Sequence, residues 1–245
     1  MSLKMSNDDL PTFTGRAEQI PSSILRLFGL DPPNTIPSPI EGISIAPIEQ
    51  VVLVILDNFG LFEITMYKPE FVIRESQYLL LFETSNPYTL YMLNALIFGG
   101  SENNNFHLIK VLQNNGKTVA MIGQESDLQR FSVSTEKIPT ENDMNTWVQG
   151  SKMLNRVNFL SLHFLDFENL YKRSMQFQKS PPEDLISRLI LRTSKWLTGM
   201  FKQLKKNSVM FILGTHGRTQ IETSYTGKVA EWRKASLPIG VLMTK

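Results

Sequence analysis

Apolar positions in this chain come in blocks separated by turn residues. Residues 51–56, VVLVIL, form an unbroken aliphatic run that stops abruptly on Asp57, Asn58, Phe59 and Gly60. Such a run, without polar alternation, predicts a strand buried on both faces, as in the centre of a parallel sheet. Asp57 then stands at the carboxyl end of the strand, the edge where open α/β sheets bind ligands, although a carboxylate there serves equally well as a helix cap.

The block pattern continues. QYLLLFET (77–84) predicts a strand, YTLYMLNALIF (88–98) a helix stopped by Gly99-Gly100, NFHLIKVLQNNG (105–116) a second helix with a glycine stop, and KTVAMIG (117–123) a short strand. VNFLSLHFLD (157–166) predicts a strand that again ends on a carboxylate. In SPPEDLISRLILRTSKWLTGMFKQLKKN, Ser180 and Glu183 have capping-box spacing, with proline in the first turn. Leu185, Leu189, Trp196, Met200 and Leu204 mark the apolar face of this helix, and Lys202, Lys205 and Lys206 near its end complement the dipole. SVMFILGTHGR (208–218) predicts a buried strand entering a polar turn, and SLPIGVLMT (236–244) a last strand.

Strands alternating with helices predict an α/β domain over residues 49–245, a mostly parallel central sheet with helices on both faces. Residues 5–48 hold most of the prolines and one short helix, PSSILRLFGLDPP, and read as a Pro-rich arm. MSLK (1–4), ahead of a second Met, reads as foreign to the fold.

Composition narrows the chemistry. With 245 residues, 42% of them hydrophobic, the chain can bury one sizeable core. Lys plus Arg number 25 against 23 Asp plus Glu, so no strong field points to nucleic acid. Cysteine is absent, which removes disulfides, thiolate zinc sites and cysteine nucleophiles and leaves Asp, Glu, His or hydroxyls for any metal. No apolar run approaches the ~18 residues of a membrane span and the start lacks a signal-peptide core, so a cytoplasmic protein with no membrane partner is expected.

Three predicted strands deliver a metal-type residue to one edge, Asp57, Asp166 and His216, and a fourth delivers the hydroxyl-rich turn TSNPYT before a helix. Convergence of this kind marks a site more strongly than any one residue. The order VILDNFG, a hydroxyl ahead of a helix ending in Gly, LDFENLYKR, a long helix, ILGTHGR and LPIGV resembles the alkaline phosphatase superfamily, nearest its type I phosphodiesterase and nucleotide pyrophosphatase branch. The resemblance spans residues 20–245, and even SSILRLFGL with its prolines is similar to what precedes the first strand there.

The resemblance implies a metal ligand at Asp57 and a nucleophile at Thr89, ten positions before Gly99, with Thr84 and Ser85 as alternatives. A hydroxyl at a helix N-terminus suits that role, since a metal lowers its pKa and the helix dipole favours a phosphate. The departures are uneven. The family's Ser-Asp-His-Gly turn is Gly214-Thr215-His216-Gly217 here, a hydroxyl in place of the carboxylate. In the Asp-x-x-x-His element Asp166 is followed by Leu170, the shifted pair Glu168 and Arg173 supplies no imidazole, and no histidine follows His216. One metal site would keep Asp57, Thr89 and His216, and the other only Asp166.

A two-metal phosphoryl transfer is therefore hard to assemble. The expectation is a degenerate phosphatase-like protein, catalytically impaired, that binds a phosphorylated or other anionic ligand or a protein partner. A reduced metal-dependent phosphoesterase using Thr89, and an assembly subunit docking by its arm, are the alternatives. One weakly held divalent ion (Zn, Mn or Mg) is expected, or none. Arg218 is placed to hold an anion bidentately, and Glu222 or Glu231 could substitute for a lost ligand. His163 reads as a core histidine more than a ligand, and His107 as structural or exposed.

Overall fold

The computed structural model describes residues 10–43, 47–82, 88–100, 105–131, 133–177, 180–217 and 239–245, apart from the side chains of 175 and 239. Eight strands form one sheet: β1 (Thr12–Gly15), β2 (Gln50–Leu56), β3 (Tyr78–Phe82), β4 (Val119–Gly123), β5 (Glu136–Pro139), β6 (Phe159–Phe164), β7 (Ser208–Gly214) and β8 (Ile239–Thr244). Their order is β1-β3-β8-β7-β2-β6-β4-β5. Every pairing is parallel except those of β8, which runs antiparallel to both β3 and β7.

The aliphatic run is β2, buried along its whole length between β6 and β7. Because strand side chains alternate, its residues divide between two cores. Val51, Leu53 and Ile55 join the layer of α1 (Ile20–Leu27), α4 (Thr89–Phe98), α5 (Leu108–Asn114) and α6 (Glu125–Arg130). Val52, Val54 and Leu56 join α2 (Leu61–Tyr67), α3 (Glu70–Ile73), α7 (Asp143–Met153), α8 (Asp166–Gln176) and α9 (Glu183–Gln203). Each fully buried aliphatic side chain contributes roughly 1.5–3 kcal/mol, and only Gln50, the first residue of β2, brings a polar side chain into this strand, hydrogen-bonded to the carbonyls of Leu154 and Val157.

Two details differ from the sequence reading. The buried side of α9 is Ile186, Ile190, Leu197, Met200 and Phe201, while Leu185 is 40% exposed. Pro182, not Ser180, occupies the N-cap, and no side chain caps this end. Met200 and Leu204 are buried as expected, Leu189 and Trp196 are partly buried against the same core, and Ile186, Ile190 and Leu197, one position on, complete the face. Segment 5–48 also contributes to the domain itself. β1 pairs with β3, and Ile20, Ile24, Leu25, Ile36 and Ile40 lie in the same core as β2. The helix stop at Gly99 has a clear cause: its φ is 68°, and an added Cβ would meet Ile36 Cγ2 at 2.7 Å.

Candidate functional site

The residue after β2 continues its alternation toward the α4 layer, which aims Asp57 at the start of that helix. Thr89, the first residue of α4, donates its hydroxyl to Asp57 Oδ1 at 2.7 Å. Thr215, just past β7, donates its own hydroxyl to the same oxygen, and the Asn58 amide adds a third hydrogen bond at 3.1 Å. Asp57 itself is 3% exposed. The turn that permits this is Asn58, at φ 56°, a left-handed conformation that Asn adopts more readily than most residues. Phe59 then anchors the chain against Phe71 and Phe167.

His216 follows Thr215 and is buried, with Nε2 3.4 Å from Asp57 Oδ1 and 4.0 Å from Glu168 Oε2. Its Nδ1 lies 3.0 Å from the Gly217 carbonyl, an oxygen that can only accept, so Nδ1 carries the proton. Glu168 also accepts from Asn58 Nδ2 at 3.1 Å and meets Lys172 at 3.0 Å.

The structure thus brings Asp57, Thr89 and His216 together at the carboxyl edge of the sheet. Asp166 stands at the same edge but is turned away. Its carboxylate pairs with Arg192 of α9, which in turn lies over the Trp196 ring at 4.4 Å. The acid that α8 presents to His216 is Glu168, a correction to the sequence reading. Arg218, Thr84, Ser85, Glu222 and Glu231 lie outside the described residues.

Sequence reasoning set aside His163, which the structure puts beside Asp57. It extends from β6 with Nε2 3.9 Å from Asp57 Oδ2 and Nδ1 3.1 Å from Asp127 Oδ2 of α6. The hydrogen bond from His163 holds the Asp127 carboxyl below its usual range, against the opposing effect of burial. Gly123 makes the room, since a Cβ there would stand 3.1 Å from His163 Cβ. An imidazole interrupting an aliphatic strand was the available signal, but its partner Asp127 is on a helix that the hydrophobic pattern did not reveal. His107 is buried against the Phe98 ring with both ring nitrogens unpartnered, and burial lowers its pKa to about 4.

A buried, mostly parallel α/β sheet with a hydroxyl, acid and imidazole at its carboxyl edge has the fold of the alkaline phosphatase superfamily. The chain is similar to the C-terminal periplasmic domain of phosphoethanolamine transferase EptC from Campylobacter jejuni, with 15% identity and a TM-score of 0.55 over 80% of this chain and 79% of that one. The EptC periplasmic domain from Escherichia coli gives 18% identity and a TM-score of 0.52 over 81% and 72%. An alkaline phosphatase superfamily protein from Vibrio parahaemolyticus gives 10% and 0.52 over 81% and 60%. No family model matches the chain, and no curated protein does.

The residues present do not fit the two-metal centre that the resemblance implies. Asp57 Oδ1 is already the acceptor of three hydrogen bonds, a hydroxyl stands where the second carboxylate would be, and Asp166 is committed to Arg192. Among the described residues, no group of three His, Asp or Glu side chains could hold a metal ion.

Proposed function

We propose that this protein is a catalytically impaired variant of the phosphatase-type fold that binds a phosphorylated or otherwise anionic ligand at the Asp57, Thr89 and His216 edge. The observation that carries the reading is the threefold occupancy of Asp57 Oδ1. A nucleophilic hydroxyl needs its proton removed and its oxygen aimed at phosphorus, with positive charge on both the attacking and leaving oxygens. Here the Thr89 proton is held by a carboxylate that also serves Thr215, and no charged group among the described residues replaces the leaving-group metal. The N-terminus of α4, which Thr89 opens, favours an anion there through the helix dipole.

The test is hydrolysis of phosphate monoesters and diesters with magnesium, manganese or zinc, run beside calorimetric binding of a monoester. Binding with slow or absent turnover is expected. Robust metal-dependent turnover, lost in Thr89→Ala, would overturn the reading in favour of a reduced phosphoesterase. The 2.7 Å contact between Thr89 and Asp57 is the feature that favours this second reading.

A further inference from the structure

The opposite edge of the sheet carries a second recess. A cavity of about 460 Å³ lies at the amino ends of β4 and β5, between the last turn of α5 and the loop that follows α7. That volume is in the range of pockets that hold small molecules. Its inner wall is apolar, formed by Val119, Met153 and Val157, which are 6%, 6% and 9% exposed. Around that wall stand two cations, Lys117 and Arg156, and one acid, Glu136. Among the described residues, none of these three takes part in an ion pair.

Lys117 is nevertheless held in place. Its amide donates to the Leu112 carbonyl at 3.0 Å, and its Nζ lies over the Phe28 ring, 5.1 Å from the centroid. The neutral polar groups of the cavity are already engaged: Gln113 Nε2 donates to the Ser134 carbonyl, Thr118 to Asn158 Oδ1 and Thr135 to the Val119 carbonyl. The two cations are therefore the groups left to recognise a ligand. Positive side chains near the ends of α5 and α7 also suit the helix dipoles, but that role needs no apolar recess beneath the charges. At the carboxyl edge the sign is reversed, since Asp57, Asp127 and Glu168 gather there.

We infer that the cavity binds a small organic anion with one acidic group on a short apolar body, a carboxylate or a phosphate monoester. Arg156 meets the acidic group with a planar fork and Lys117 with a point charge, while the body lies against Val119, Met153 and Val157. Glu136 repels a second acidic group on the same ligand, which disfavours polyanions. The site that the superfamily resemblance implies is at the carboxyl edge, so this one is separate from it.

Amide NMR titration of the full chain with phenyl phosphate, benzoate and inorganic phosphate locates and ranks binding. The better of the two organic probes is expected to shift the amides of Val119, Glu136 and Val157, and its identity tells a phosphate site from a carboxylate site. Inorganic phosphate, which lacks the body, should bind about tenfold more weakly than that probe. Arg156→Gln and Lys117→Gln should each weaken the probe about tenfold, and Glu136→Gln should strengthen it about threefold. No shifts at this edge, affinity unchanged by either cation substitution, or inorganic phosphate as tight as the better probe overturns the inference. Shifts here and not at Asn58, Thr89 and His216 sustain it and remove the function proposed above. Shifts at those three alone overturn it and leave that function standing, and shifts at both edges sustain both.

Discussion

Asp57 and Asp143 are both buried carboxylates at the carboxyl edge of the same sheet, 3% and 2% exposed, yet their partners differ in kind. Asp57 receives two side-chain hydroxyls and faces two imidazoles. Asp143 receives the backbone amides of Leu165 and Asp166, at 2.7 and 3.0 Å, and so caps the start of α8. A carboxylate at this edge is a site when its partners are side chains with chemistry of their own, and a cap when they are amides. Burial raises the Asp143 pKa to about 6, with the neighbouring Asp166 charge adding to the rise and the two amides and Arg192 opposing it.

Asp57→Asn gives the sharpest break in that comparison. It keeps the volume but removes the negative charge that faces the anion site and accepts from Thr89 and Thr215, so phosphate-ester affinity should rise about tenfold by calorimetry. Asp143→Asn should leave that affinity within twofold. If Asp143→Asn affects binding as strongly as Asp57→Asn does, the division into site and cap is wrong.

Asp143→Ala leaves two amides without their acceptor and should cost about 1–3 kcal/mol in urea unfolding at neutral pH. The dependence on pH separates this group further. A carboxyl whose folded pKa is raised stabilises the fold fully below its unfolded value near 3.8, and that contribution is lost as pH rises through about 6. His107, lowered to about 4 mainly by burial, runs the other way: its contribution is present above 6.5 and lost as pH falls through 4. Between these limits the two slopes oppose each other, so the parent should show a shallower profile than either variant. Asp143→Asn should grow more stable from pH 4.5 to 6.5, and His107→Leu less stable, each by roughly 1–3 kcal/mol. Urea midpoints that move in the same direction for both variants would contradict the assignment.

Thr215→Asp asks whether the Asp57 hub can be turned back toward a metal site. A second carboxylate would replace a hydroxyl that now donates to Asp57. The expected result is cation affinity raised about tenfold, metal-free stability lowered by about 1–3 kcal/mol through like-charge crowding, and still little hydrolysis. Unchanged affinity would mean that Thr215 does not face the cation.

The smallest effect belongs to the pair outside both sets. Arg192→Leu removes a partly exposed ion pair with Asp166 and should cost no more than about 1 kcal/mol, with no change in ligand binding. A loss of binding there would bring Asp166 back into the site.

Much of this could be read in the sequence because burial on both faces leaves a direct mark. The aliphatic runs of β2, β6 and β7 announce central parallel strands, and the polar residue that ends each run marks the carboxyl edge. Asp57 and His216 follow from that rule, and Thr89 from the helix start with its glycine stop. β1, with four residues and no fully buried side chain, and α6 and α7, with little apolar surface, left no such mark.

The choice between Asp166 and Glu168 was settled only by packing. The two are separated by two residues in the first turn of α8, so they point to nearly opposite sides of the helix. Arg192, from a different helix, takes one, and Asn58 and His216 take the other. His163 was visible as a residue but not as a participant, because its role rests on Asp127, Gly123 and Asp57, brought to it by three other elements. The sequence by itself determined the strands and the edge at which chemistry collects, since one-dimensional periodicity encodes burial. The partners of each polar group at that edge were decided by tertiary structure, since a hydrogen bond of a few ångströms joins residues whose separation along the chain carries no periodic signal.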